Sequence, residues 1–258
     1  MLRPSALLAL PLACALHAAH AGAAADFADI TPYRPSVSNP AQLPAPGQLE
    51  LELGGLHVKD GDNRRDSLPY LLKFGFTEEW GVLLGGEALV SQRDEEGRRR
   101  GIGDTTVTLK RAFPMSDATA FGLELGATFA TAKEGLGTGS GKTDVTLNGI
   151  LSQDLGKLHM DANLNATRIG AVDAGTGRVQ TGLSAAFSAP FSERWSGVAE
   201  WSGTRQSGAP STAQLLAALV YQPSKQLAID VGMTRGLNRA SPEWSLFSGF
   251  VVPLARFR

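Results

Sequence analysis

Thiols are almost missing from this chain of 258 residues. The one cysteine, Cys14, falls in an apolar leader, so the chain beyond it can form no internal disulfide. Long apolar runs are missing as well. Past the leader the longest is Leu215 to Tyr221, well short of the ~18 residues that a membrane helix needs. Histidine is scarce. Only His57 and His159 follow the leader, and two distant histidines without cysteine make no zinc set. The net charge is −1, which lacks the basic excess that nucleic-acid binding requires. No cofactor, no metal and no nucleic acid are therefore expected.

The leader itself is informative. Arg3 supplies a positive start, Ser5 to Leu16 is apolar but too short to span a bilayer, and small residues follow at Ala19-His20-Ala21 and Ala23-Ala24-Ala25. This is the plan of a secretory signal peptide over residues 1–25, cleaved after Ala21 or Ala25. Cys14 as a lipid acceptor is the competing reading; the preceding Pro11-Leu12-Ala13 suits it poorly.

What is present is glycine and alternation. Glycine is 30 of the 258 residues, above the usual ~7%, and suits a chain of strands and turns. Residues 26–47 carry Pro32, Pro35, Pro40, Pro44 and Pro46. Proline lacks the amide donor, so this stretch reads as an extended periplasmic lead-in. From residue 48 to 258 a period of two takes over. Leu49, Leu51 and Leu53 alternate with Glu50 and Glu52; Leu158, Met160, Ala162 and Leu164 alternate with His159, Asp161, Asn163 and Asn165. Successive strand residues face opposite sides, so each strand has one apolar and one polar face. Twelve such strands are expected. Between them, long polar connections such as Lys59–Asp66, Gln92–Arg100 and Thr131–Gly141 alternate with short turns such as Thr77–Glu79 and Pro190–Arg194. The pattern predicts an all-β fold: a single closed antiparallel transmembrane β-barrel of about 12 strands, with short periplasmic turns and long outer loops. Trp80, Phe113, Phe121, Phe191, Trp195 and Tyr221 cluster at the short turns, where amphipathic rings would form an interfacial girdle. The expected location is the outer membrane of a Gram-negative bacterium.

The polar face argues against a soluble sandwich. It carries Glu50, Glu52, Lys73, Glu87, Lys110, Glu124, Asp161 and Glu200, and a dry core of such charges would be very costly. A lumen removes the difficulty. The lumen-lining candidates are these eight together with Asn163, Asn165 and Asp230. Acids outnumber lysines, so an open pore should favour cations.

Other motifs point less far. Gly135 to Thr143 resembles a phosphate loop, but Leu136 stands where the first glycine is needed, and no helix follows to cradle phosphate. His159 has no serine partner that would make a hydrolase; no catalytic residue is assigned. Asp60 and Asp62 fit a solvated turn better than a calcium site. Arg98-Arg99-Arg100 follows Asp94-Glu95-Glu96. The run reads as a self-paired outer loop, with lipopolysaccharide phosphates or an anionic solute as the alternative partner.

Gly101-Ile-Gly-Asp-Thr-Thr-Val-Thr-Leu-Lys110 resembles the GxGDxxxxxK strand of an outer-membrane family named for the meta pathway (MetA) of phenol degradation. Similar stretches are Arg34-Pro35 with Gly47 to Glu52, Phe74 to Trp80, Gly141 to Asn148 and Asp161 to Asn165. Where that family usually shows proline-threonine-glycine, this chain has Ala130-Thr131-Ala132. The resemblance implies an outer-membrane barrel that passes small, aromatic or hydrophobic compounds. It carries no catalytic or binding residues onto this chain.

The expected function is thus passive transport of a small-molecule solute. Two other readings fit the same residues: a structural or surface-interaction barrel with a lumen plugged by its ion pairs, and an outer-membrane lipid hydrolase. The expected partners are outer-membrane lipid and lipopolysaccharide, and the barrel-assembly machinery, which reads a terminal aromatic. Here Phe257 is penultimate and Arg258 last.

Overall fold

The computed structural model describes residues 27–257. The leader expected at 1–25, Cys14 within it, and the terminal Arg258 lie outside the described residues. Thirteen strands follow one another: β1 (Gln48–Asp60), β2 (Asn63–Gly75), β3 (Trp80–Asp94), β4 (Gly97–Gly101), β5 (Thr105–Pro114), β6 (Thr119–Phe129), β7 (Asp144–Leu155), β8 (Leu158–Arg168), β9 (Val179–Pro190), β10 (Trp195–Gln206), β11 (Thr212–Ser224), β12 (Leu227–Gly236) and β13 (Trp244–Arg256). Every pairing between them is antiparallel. β1 pairs with both β2 and β13, β2 pairs with β3, and β3 pairs with β5. Twelve strands therefore close a ring, and β4 is an extra strand hung on β3 alone. Closure leaves no edge in the hydrocarbon layer, where an unpaired amide would find no water.

The alternation read in the sequence sets which face is which. Leu125, Leu147, Leu164, Leu183 and Leu215 stand on the outer wall, and Leu164 is 64% exposed. Glu124, Asn148, Asn163 and Ser184, the strand neighbours of the first four, point inward and are buried, as is Glu200 on β10. An apolar exterior around a charged interior is stable only with lipid outside. At the short-turn rim, Trp195 stacks on Tyr221 at 4.7 Å, and Phe74 meets Phe76 and Phe257 edge-on at 5.3 and 5.7 Å. Trp195 and Tyr221 belong to the girdle expected there; Phe74, Phe76 and Phe257 are further aromatic rings at the same rim.

Two expectations need correction. The first concerns Gln92–Arg100, expected as a loop. β3 instead runs to Asp94, turns at Glu95-Glu96, and returns as β4. Both faces of this hairpin are polar, so the period of two left no apolar signal. The register shifts between Ser67 and Pro69, where three residues of β2 oppose four of β3. Such a bulge redirects side chains beyond it. The Lys59–Asp66 connection is likewise mostly strand, with a tight turn at Gly61-Asp62.

The second concerns the proline-rich stretch at 26–47. Its described part does not trail away from the barrel as a periplasmic lead-in. It enters at the short-turn end, where the Ile30 amide donates to the Lys225 carbonyl, rises to mid-height, crosses the lumen, and descends to Gly47 and β1. Its prolines keep it from pairing as a strand. The inner wall gives it other partners.

Candidate functional site

Wall carboxylates hold the segment mainly by its backbone. Both oxygens of Glu50 accept the Thr31 amide at 3.1 Å. Glu52 accepts the amides of Tyr33 and Arg34 at 2.7 and 3.1 Å. Glu200 accepts the Ser38 amide at 2.8 Å, and Ser38 donates its hydroxyl to Ser184. Glu124 accepts both contacts from the Asn39 side-chain amide, and Asn163 accepts the Asn39 backbone amide at 3.0 Å. The Ala41 amide donates to Ser152 at 2.8 Å. A carboxylate that receives one or two amide donors in a dry site is stabilised by charge-assisted hydrogen bonds.

Two wall lysines complete the clasp, and both are 0% exposed. Lys73 lies 3.0 Å from Glu50 and 2.6 Å from Glu52, and donates to the Thr31 carbonyl. Lys110 lies 3.0 Å from Glu124 and donates to the Pro40 carbonyl. Both ammonium groups sit over the Tyr33 ring, at 4.4 and 4.2 Å from its centre. A desolvated cation over an aromatic face is attracted by the ring quadrupole. Buried ions of this kind are tolerated only when every charge has a partner.

Arg34 makes the remaining anchor. Its guanidinium is bidentate on Asp230, with both contacts at 2.9 Å. It lies across Gly54 and Gly249, which face each other between β1 and β13. A Cβ on either glycine would come within 2.7 Å of the guanidinium. The two glycines thus cut a slot for one side chain.

Eight of the eleven expected lumen residues therefore touch the segment: Glu50, Glu52, Lys73, Lys110, Glu124, Asn163, Glu200 and Asp230. The other three lie elsewhere on the inner wall. Asp161 bonds Ser152 and His159 below the segment. Glu87 pairs with Arg65 in the outer half. Asn165 lines a cavity of about 180 Å³ with Val37, Ser202, Thr204 and Gln214. A larger cavity of about 500 Å³ opens above, lined by Arg65, Glu87, Asp104, Thr106, Thr128 and Thr138. The lumen is thus filled in its lower half and hollow in its outer half. Ser38 and Asn39 were not legible in advance, because nothing in a proline-rich stretch marks which polar residues meet a wall.

The GxGD motif shapes the outer cavity. Asp104 accepts the backbone amides of Ala132 and Ser140 at 3.1 and 2.6 Å and the Ser140 hydroxyl at 2.9 Å. The false phosphate loop is therefore a lid-like turn tied to one carboxylate. Burial pushes the Asp104 carboxyl up, but the Ser140 and Ala132 hydrogen bonds outweigh it and hold the group below its ordinary 3.8. A depressed carboxyl stabilises the tied loop above its unfolded value and stops doing so as pH falls through the folded one. Protection of residues 132–140 from hydrogen exchange, relative to the unstructured chain at the same pH, should consequently fall only below pH 3.8. Asp104→Ala should lack that protection already at neutral pH. Equal exchange in both proteins at pH 7 would contradict the tie.

The histidines make no catalytic pair. His159 has one ring nitrogen on Asp154 at 2.5 Å and the other on Asp161 at 3.2 Å. His57 faces outward and bonds Asp66 at 2.7 Å.

The whole barrel is similar to solved outer-membrane proteins. The COG4313 outer membrane channel from Pseudomonas putida F1 superposes with a TM-score of 0.67 at 15% identity, over 88% of this chain and 100% of that one. The NanC porin gives 0.58 at 10% identity, over 79% and 100%. The CymD monoaromatic hydrocarbon channel gives 0.52 at 9% identity, over 83% and 89%. At these identities the likeness is one of fold, and it places the chain among outer-membrane barrels. No curated protein gives a significant match to the sequence. A family model does, over residues 33–254, which takes in the lumen segment from Tyr33 onward as well as nearly the whole barrel. The chain belongs to the family described as "Putative MetA-pathway of phenol degradation".

Proposed function

We propose that this protein is a passive outer-membrane channel for small solutes, closed at rest by its own residues 27–47. The observation that supports it most is the mismatch between wall and contents. The segment is held by side chains of the wall and not by strand pairing, so it can leave without breaking the barrel. The hollow outer half already offers a solute a polar vestibule. Small aromatic compounds are the solute class we favour. The family description and the hydrocarbon channel CymD both point that way.

With the segment displaced, Glu50, Glu52, Glu124, Asp161, Glu200 and Asp230 would face water with Lys73 and Lys110 as the nearby cations. Openings of the intact protein in a planar bilayer should therefore be cation-selective. A reversal potential of the opposite sign in a salt gradient would contradict this use of the wall.

A second reading draws on the buried ion pairs of Lys73, Lys110 and Arg34 with wall acids: a barrel permanently plugged and serving as a structural or surface element. It predicts electrical silence from folded protein under every condition. The channel reading involves no catalytic step, and lipid or ester hydrolysis is not part of it. Its partners are outer-leaflet lipid around the wall and the barrel-assembly machinery.

A further inference from the structure

The hairpin that was expected to be a loop sorts its arginines onto two faces. Arg65, Gln92 and Arg99 are cross-strand neighbours on the inner face of β2, β3 and β4. They are served there: Arg65 by Glu87, and Arg99 by Asp94 and Glu96. The expectation of a self-paired run holds for Arg99 alone.

The residues one step away face outward. Lys59 pairs in register with Arg64, Arg64 with Arg93, and Arg93 with Arg98. Four cations stand side by side across β1, β2, β3 and β4, with strands about 4.8 Å apart. Arg100 lies one row below, next to Ser91. Glu243 neutralises Lys59 at 2.7 Å, and Asp66 is engaged by His57. Among the described residues no carboxylate pairs with Arg64, Arg93, Arg98 or Arg100, and all four are exposed. Arg98 has only the Ser91 hydroxyl, at 3.1 Å.

Like charges directly opposite one another weaken a sheet. An anion from outside would relieve the repulsion in this run of three exposed arginines with no acid between them. Height selects which anion. Below the next row, His57, Asp66, Ser91 and Arg100, the outer wall turns apolar, with Leu68 and Leu89 exposed, then Tyr70 and Leu53. The arginines therefore stand at the level where the outer leaflet carries its headgroups. Planar guanidinium groups suit phosphate oxygens, which they bind in pairs.

We propose that Arg64, Arg93 and Arg98, with Arg100 beneath them, form a docking site for the phosphate groups of an outer-leaflet phosphoglycolipid of the lipopolysaccharide type. This rests on the barrel's place in the outer membrane and not on transport. The face lies outside the lumen, so substitutions there should leave single-channel current unchanged.

The test uses the full mature protein in detergent and three probes: bisphosphorylated lipid A, the same lipid with both phosphates removed, and inorganic phosphate. Binding is read by native mass spectrometry. The unmodified protein should retain the bisphosphorylated lipid at least about tenfold more tightly than the dephosphorylated one. Arg64→Gln/Arg93→Gln/Arg98→Gln should abolish that preference. Arg168→Gln/Arg205→Gln, which alters outward arginines on the far wall, should keep it. Equal retention of the two lipids by the unmodified protein would overturn the proposal. So would a preference that survives the triple change, or inorganic phosphate competing as well as the lipid. If the triple variant does not fold, the comparison of the two lipids on unmodified protein still decides.

Discussion

Deleting residues 27–46, with Asp26 joined directly to Gly47, should turn a nearly silent barrel into one with sustained conductance. The ring of twelve strands makes its backbone hydrogen bonds without the segment, so the barrel should assemble and keep its folded mobility on a gel. What changes is the lumen. Glu50, Glu52, Glu124, Glu200 and Asp230 lose their donors: the amides of Thr31, Tyr33, Arg34 and Ser38, the Asn39 side chain and the Arg34 guanidinium. In a dry site that loss would be severe. In a lumen now open at the short-turn end, water replaces the donors. A ring of this strand number lies between barrels filled by side chains and wide porins. The current should rise at least about tenfold over the intact protein, reflecting the width of an emptied barrel of this size. It should also be more cation-selective, since the acids are no longer covered. A variant that folds and stays silent would show that wall side chains alone close the lumen.

Replacing one buried ammonium should release the segment without deletion. In Lys73→Met the side-chain volume is nearly kept, but Glu50 and Glu52 lose their shared cation and the Thr31 carbonyl loses its donor. Removing one partner from a buried ionic cluster costs about 3–5 kcal/mol. The strands are fixed by their ladders, so the segment is the part that can yield. Its displacement lets water reach both carboxylates. The cost corresponds to a shift of about two to four orders of magnitude in the bound-to-released ratio. Hydrogen exchange across residues 27–47 should accelerate by that factor while exchange in β5 to β12 stays slow. Adding Glu52→Gln to Lys73→Met should recover a large part of the loss, because one of the two stranded charges is gone. Unchanged exchange in the segment of Lys73→Met would mean that the ionic clasp does not hold it.

These two results bear on what the sequence could and could not reveal. The wall was legible because its signal is a period of two with lipid on one side: Leu49, Leu51 and Leu53 against Glu50 and Glu52 need no tertiary information. The hairpin of β3 and β4 was not, since Gln92 to Arg100 is polar on both faces and alternation between two polar faces is invisible. The inner position of Glu200 and Asp230 was legible from their apolar neighbours. Their partners were not. The segment meets the wall largely through backbone amides, which every residue but proline carries, so Ser38 and Asn39 look like any polar residues of a linker. One sign was available. The inner wall carries seven acids, Glu50, Glu52, Glu87, Glu124, Asp161, Glu200 and Asp230, against Lys73 and Lys110. Unless that wall is wet, such an excess requires donors from elsewhere in the chain. Tyr33 and Arg34, the aromatic and the cation of the proline-rich stretch, were the side chains to supply them.

A reversible cross-link tests most directly whether the segment is the gate. Ser38 and Ser184 approach to 2.8 Å between hydroxyl oxygens, and no native thiol follows Cys14 to compete. Ser38→Cys/Ser184→Cys would tie the segment to β9 when oxidised and free it when reduced. Recorded in one bilayer before and after a reductant, the oxidised protein should stay closed and the reduced protein should show openings of the size seen in the deletion variant. Openings of equal size and frequency in both states, or in neither, would contradict a lumen gated by residues 27–47.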